Sequence, residues 1–232
     1  MSEALLSAAR SGDFEVACRL IAAGAELDGR SDEGRTALHE AIEYGHGRIR
    51  DLLLESGAEV DVCAAAILGR VERLRLLLDR QPALVGDRST GLSPLGWAAY
   101  GNQTETAAEL CDRGARPDDG ELLCAASVGH VEVGRLLIEH GADPDEVHPG
   151  AGGNALHAAA SMRYTHDASA FVAMLLAAGA DPKLRSLGGR TALEIAEEGA
   201  GRRCEGEDVA EATKSYPAVA ALLRAALATA LE

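Results

Sequence analysis

Tyr164, His166 and Asp167 in one insertion, with Arg203 in another, would favour an enzyme if they lined one cavity. A phenol, an imidazole and a carboxylate gathered in one cavity beside a guanidinium could hold and move a proton. No further catalytic constellation accompanies them. The sequence contains no H-E-x-x-H, no phosphate-cradling G-x-x-x-x-G-K-S/T, no G-x-G-x-x-G and no G-x-S-x-G. His140, His148 and His166 fall in loops at no metal-like spacing. Cys18, Cys63, Cys111, Cys124 and Cys204 are odd in number and form no C-x-x-C pair, so they read as reduced fillers of small apolar positions. No metal and no cofactor is expected.

The elements that would have to position a site repeat along the chain. Gly34 to Asp61 is the reference unit: Leu38, Ala41 and Ile42, then Ile49, Leu52 and Leu53, follow the spacing of two short amphipathic helices broken at Gly45. Thr36 suits the first cap, and Gly57 the left-handed residue that ends the second helix. The unit is helix, turn, helix, loop.

This unit resembles an ankyrin repeat, with Gly34, Thr36, Leu38, His39, Ala41, Gly45, His46, Leu52, Leu53, Gly57 and Ala58 at the positions of the pattern. The pattern returns at Ser93-Pro94-Leu95, Asn154-Ala155-Leu156-His157 and Thr191-Ala192-Leu193, and its Gly-Ala punctuation at Gly24, Gly57, Gly114, Gly141 and Gly179. The resemblance implies an all-α solenoid of about seven stacked repeats joined by β-turn fingers, in one domain spanning 1–232. Approximate repeats are 3–33, 34–61, 62–90, 91–119, 120–152, 153–188 and 189–232. It also implies that His39 and His157 tie neighbouring repeat loops together, and that His46 and His130 serve the helical turn.

The units are unequal in length. Gly24 to Gly57 is 33 residues, but Gly57 to its counterpart Gln81 is 24, so the third repeat should lack a full finger. Gln81 to Gly114 is again 33 and Gly114 to Gly141 is 27, which makes the fifth repeat short as well. The sixth carries an insertion of about four residues within 161–169. The seventh is interrupted by a polar segment, Gly199 to Pro217, before a closing helix over Ala218 to Leu231.

With 47% apolar and 3% aromatic residues, the core must be aliphatic and closely stacked. Net charge is −15 with pI near 4.9, which disfavours nucleic acid and acidic membranes and favours a basic protein partner, with solubility alone as the alternative purpose. Only Lys183 and Lys214 are lysines, the bias of a GC-rich, bacterial genome. The start of the chain lacks the pattern of a signal peptide, and no apolar run would span a bilayer, so a cytoplasmic monomer is expected.

In this family the usual binding surface is concave, formed by finger tips and first helices. Repeats aligned on their mid-turn glycine, Asn102 in the fourth, bring Glu40, Glu43 and Tyr44 into register with Ala64, Ile67 and Leu68, with Trp97 and Tyr100, with Cys124, Ser127 and Val128, and with Ala158, Ser161 and Met162. Ile67, Leu68, Trp97, Tyr100, Val128 and Met162 are expected to form an apolar patch rimmed by Arg10, Glu40, Glu43 and Glu198. Finger residues Arg30 to Glu33 and Arg88 to Thr90 supply its polar half, Arg88 being suited to a carboxylate. The shortened third and fifth units should open a groove in the finger row. Trp97 has an alternative place, half-buried between repeats. The expected function is non-enzymatic recognition of a protein by an acidic intracellular adaptor or inhibitor, for example an immunity-like neutraliser of a basic toxin. An enzyme or small-ligand site in the insertions at 161–169 and 199–217, and a self-assembling scaffold, are the alternatives.

Overall fold

The computed structural model describes residues 2–118, 120–161, 168–201 and 209–229, and places fourteen α-helices among them. They are α1 (Ser2–Ser11), α2 (Phe14–Ala22), α3 (Ala37–Glu43), α4 (Gly47–Glu55), α5 (Val62–Ile67), α6 (Val71–Arg80), α7 (Pro94–Tyr100), α8 (Thr104–Asp112), α9 (Glu121–Val128), α10 (Val131–Glu139), α11 (Ala155–Ser161), α12 (Ser169–Ala177), α13 (Ala192–Gly201) and α14 (Val209–Thr229). Consecutive helices pair, and each pair stacks on the next. The odd-numbered helices form one layer, from α1 on α3 to α11 on α13, while α8, α10, α12 and α14 pack in turn in the other. The result is an all-α solenoid.

Local chemistry sets the punctuation. Gly24, Gly57, Gly114, Gly141 and Gly179 all take φ between +78° and +97°, and the next alanine donates its N–H back to the carbonyl of Leu20, Leu53, Leu110, Leu137 or Leu175 at 2.9–3.0 Å. A left-handed residue thus turns the chain and its neighbour satisfies an orphan helix carbonyl. Asn102 takes the mid-turn conformation at φ +56°, which asparagine tolerates better than most residues. Gln81 stays at φ −143° instead, and the chain continues into a 3-10 turn over Pro82–Gly86.

Fingers with a hydrogen bond or bridge across their base occur at Ser31 to Arg35, Thr90 to Leu92, His148 to Gly153 and Arg185 to Thr191. Among the described residues none is found between α4 and α5 or between α8 and α9, where the short spacings predict no full finger. The last helix differs from expectation: it begins at Val209 and runs through Pro217, which can donate no N–H to the ladder, so the polar interruption is shorter than 199–217. Residues 162–167 and 202–208, with Tyr164, His166, Asp167 and Arg203, lie outside the described residues.

The apolar core falls into two clusters that meet at α5. Leu5, Leu38, Ile49, Leu53 and Ala64 belong to the first; the second starts at Val62 and Cys63 and reaches Leu223. Polar bonds cross this junction. Asp61 Oδ1 accepts the Ala64 N–H at 2.9 Å, capping α5, and lies 3.2 Å from His39 Nε2, while Oδ2 accepts from Arg30 at 3.0 Å. Burial alone would raise the Asp61 carboxyl, but the His39 and Arg30 hydrogen bonds and the cap hold it down at about 2.

The missing third finger is bridged from the side. Arg35 of the first finger donates through Nε to the Thr90 carbonyl at 3.3 Å, and a Cβ at Gly34 would meet the Ser89 carbonyl oxygen at 1.7 Å. The finger before α7 therefore lies against the finger before α3, and the expected groove between them is closed. At the fifth unit a hollow of about 190 Å³ does remain, lined by Arg88, Ser93, Arg116 and Glu121 among others.

Gly34→Ala should push these fingers apart and cost more than about 2 kcal/mol in urea unfolding, because a left-handed alanine adds strain to the backbone clash. Gly24→Ala, also at positive φ but with no atom near its added Cβ, should cost distinctly less. A carboxylate depressed in the folded state stabilises above its unfolded pKa, so the contribution of Asp61 should be full above about pH 4 and vanish as pH falls toward 2. The stability difference between wild type and Asp61→Asn, about 2 kcal/mol at pH 7, should shrink over that interval.

Candidate functional site

The candidate surface consists of the exposed flank of the first helices and the fingers above it. Its first half is held by a cluster that sequence columns did not reveal. Trp97 is 0% exposed; its Nε1–H donates to Thr90 Oγ1 at 2.8 Å, and the Arg35 guanidinium stands 5.6 Å over its ring. Arg35 also pairs with Glu43 and lies 3.8 Å from Glu33. Burial raises the Glu43 carboxyl, opposed by Arg35. Arg35 thus joins two fingers, a helix and an indole, combining ion pairing with cation–π attraction.

The expected apolar patch is therefore smaller than its sequence column suggests. Trp97 and Ile67 are core residues, as is Ala64: Thr90 of the finger closes over the indole, and Ile67 lies against Gly101 at the end of α7. Glu40 is also corrected: it is 0% exposed and accepts two bonds from Arg10 at 2.9 Å, Nε to Oε2 and Nη2 to Oε1. A bidentate guanidinium satisfies a carboxylate that burial would otherwise penalise heavily. Leu68, Tyr100 and Val128 are half-buried, and Tyr100 meets Trp97 edge-on at 6.4 Å. Tyr44, 51% exposed and stacked on His46, is the most open aromatic ring among the described residues. Arg88 is exposed and its guanidinium lies 3.9 Å from Glu121, a buried carboxylate that also accepts from Ser93 Oγ at 2.6 Å. Met162 lies outside the described residues.

The histidines act between repeats. His46 Nε2 is 3.2 Å from the Arg10 carbonyl, His130 Nε2 3.2 Å from that of Tyr100, and His157 Nε2 3.1 Å from that of Arg190. Burial holds the His157 imidazole below its ordinary pKa. Among the described residues no three His, Cys, Asp or Glu side chains gather as a metal site would require. Cys63 is buried, and desolvation pushes its thiol up to about 12, the opposite of a nucleophile.

A second feature lies at the other end of the surface. A cleft of about 420 Å³ opens between the inner helices, at Leu123, Ala158, Ser161 and Ile195, and the fingers around Gly152, Gly153, Ser186 and Arg190. Asn154 and His157 stand in its wall. Repeated motifs at the sequence level mark Asn154 only as a variant cap, and cavities between fingers leave no trace in spacing.

Trp97→Ala should cost about 3–5 kcal/mol in chemical denaturation, as for a large core aromatic, whereas Tyr44→Ala should stay within about 0.5 kcal/mol of wild type. Equal effects would return Trp97 to the surface.

Comparison with known proteins follows this geometry. Two models of ankyrin repeats match residues 2–64 and 122–172. The ankyrin repeat and KH domain-containing protein mask-1 of Caenorhabditis elegans is 30% identical over 152 residues, 58% of this chain but 6% of that protein. The mouse NF-kappa-B inhibitor delta is 28% identical over 202 residues, covering 79% of this chain and 58% of the inhibitor. The crystal structure of the human ASB11 ankyrin repeat domain superimposes with a TM-score of 0.55 at 22% identity, covering 96% of each chain, a likeness of fold alone. The chain spans only a small part of the first two relatives named for KH domains, 6% of each. Ankyrin repeats are in general protein-interaction modules rather than enzymes. From the helix pairs, the Gly-Ala turns, the inter-repeat histidines and these matches together, the chain belongs to the ankyrin-repeat proteins.

Proposed function

We propose that this chain is a non-enzymatic module that binds a partner protein through the concave face, and that the partner is basic. The observation that carries the reading is the charge of −15, in a chain whose arginines are so largely engaged in internal pairs: Arg10, Arg30, Arg35, Arg75, Arg113, Arg190 and Arg224 each face a carboxylate of the chain itself. The unbalanced charge is therefore negative, and exposed Asp32 and Glu33 place part of it on the first finger. Long-range attraction of this kind speeds association with a basic surface and weakens with salt.

Tyr44, Leu68, Tyr100 and Val128 form the apolar part of the face, with Glu43, Arg88 and the finger carboxylates around them. Large side chains in such a setting carry most of the affinity in an interface. The reading makes the chain an intracellular, monomeric adaptor or inhibitor.

Affinity capture from source cells, compared between wild type and a Tyr44→Ala, Leu68→Glu variant that retains its circular dichroism and melting temperature, tests the reading. A saturable basic partner should be recovered at least tenfold less by the variant, and binding should weaken between about 50 and 300 mM salt. Equal recovery by both proteins would move the site off this face.

A further inference from the structure

The hollow at the short fifth unit is walled by groups of both charges. At the third unit the flanking fingers meet over the gap, but here a space of about 190 Å³ stays open. One side is the finger before α7, at Val85, Gly86 and Arg88; the other is the loop before α9, at Gly114, Ala115, Arg116 and Asp118. Water at its liquid volume would fill it with about six molecules. That is the bulk of one small metabolite rather than of a nucleotide.

The charges in its wall are set out for a dipole. Glu121 lines the hollow with only 2% of its surface exposed, accepting from Ser93 Oγ at 2.6 Å and lying 3.9 Å from the Arg88 guanidinium. Burying a carboxylate is costly without such company. Arg116 and Asp118 line the same space from exposed positions, yet among the described residues neither side chain makes an ion pair or hydrogen bond, with the other or with any third group. A guanidinium and a carboxylate two residues apart thus present opposite charges to whatever enters. Val85, Leu95 and Ala115 supply the apolar part of the wall.

We propose that this hollow binds a free α-amino acid with a small aliphatic side chain, its carboxylate on Arg116 and Arg88, its ammonium between Asp118 and Glu121, and its side chain on Val85, Leu95 and Ala115. A simple anion would meet two carboxylates here, and a simple cation two guanidiniums, at separations where a poorly hydrated like charge is expensive. A ligand carrying both charges finds an opposite partner for each. Of the residues assigned above to the protein-binding face only Arg88 lines the hollow, so the two readings stand or fall separately.

Isothermal titration calorimetry of the full chain with alanine, valine and leucine tests the assignment, beside isovalerate and isobutylamine, which keep the shape of valine but lack its ammonium or its carboxylate. Arg116→Ala and Asp118→Asn remove one charge each from exposed positions; Gly86→Phe fills the space from a glycine whose added Cβ meets no atom; Leu68→Glu alters the protein-binding face. Unchanged melting temperatures show that each variant folds. At least one amino acid should bind with a dissociation constant below about 1 mM, and both single-charge probes at least about tenfold more weakly. Arg116→Ala and Asp118→Asn should each weaken that amino acid by about fivefold or more, Gly86→Phe should abolish its heat, and Leu68→Glu should leave it within about twofold. No heat from any of the three amino acids at about 10 mM would overturn the proposal and leave the protein-binding face untouched. Isovalerate or isobutylamine binding as tightly as valine would overturn it too, as would an affinity indifferent to Arg116→Ala, Asp118→Asn and Gly86→Phe.

Discussion

Each helical pair leaves one apolar flank bare, and only the next pair covers it. That dependence governs the whole molecule: Ala8, Ala41, Ala65, Ala98, Ala125 and Ala159 are all buried because a larger side chain at such positions would hold successive first helices apart. Stability is accordingly a sum over neighbouring interfaces, and the polar bonds that cross them matter as much as the helices. His46, Thr106, His130 and His157 each place a side-chain atom on a carbonyl of an adjacent repeat, satisfying backbone groups that would otherwise be orphaned at helix ends.

Where the stacking is thinnest, other forces substitute. The two core clusters share only a narrow boundary at α5, and no finger stands there to buttress it. Asp61, held by His39 and Arg30, ties one side to the other from below, and Arg35 spans from the finger before α3 to Thr90 in the finger before α7 and to Trp97 on α7. Deleting a finger therefore does not make a hole at this point. It brings the flanking fingers into contact, and Gly34 is required because any side chain there would collide with Ser89.

Much of the fold was legible in the residues. Gly57-Ala58 and its copies announce the turns, because a left-handed glycine and a small buried alanine are needed together, and the interval of 24 residues from Gly57 to Gln81 announces the missing finger. The face was legible only in part. Tyr44 is as open as its column implies, yet Trp97 and Ile67 sit inside and Glu40 is sealed by Arg10. A column records which helix flank a residue occupies, whereas burial depends on what a loop tens of residues away lays over it. Thr90 on Trp97 is seven residues distant in sequence, but Arg35 is 62 positions from the indole it covers, and no periodicity encodes that.

The junction at α5 also has a mechanical meaning. At this joint the aliphatic packing of Ile42 and Val60 is supplemented by the Asp61 carboxylate and the Arg30 and Arg35 guanidiniums. Partly buried pairs of this kind are screened by salt much less than exposed ones. The touching of two loops, Gly34 against Ser89 and Arg35 on Thr90, is thus part of what seats the first two helical pairs on those that follow.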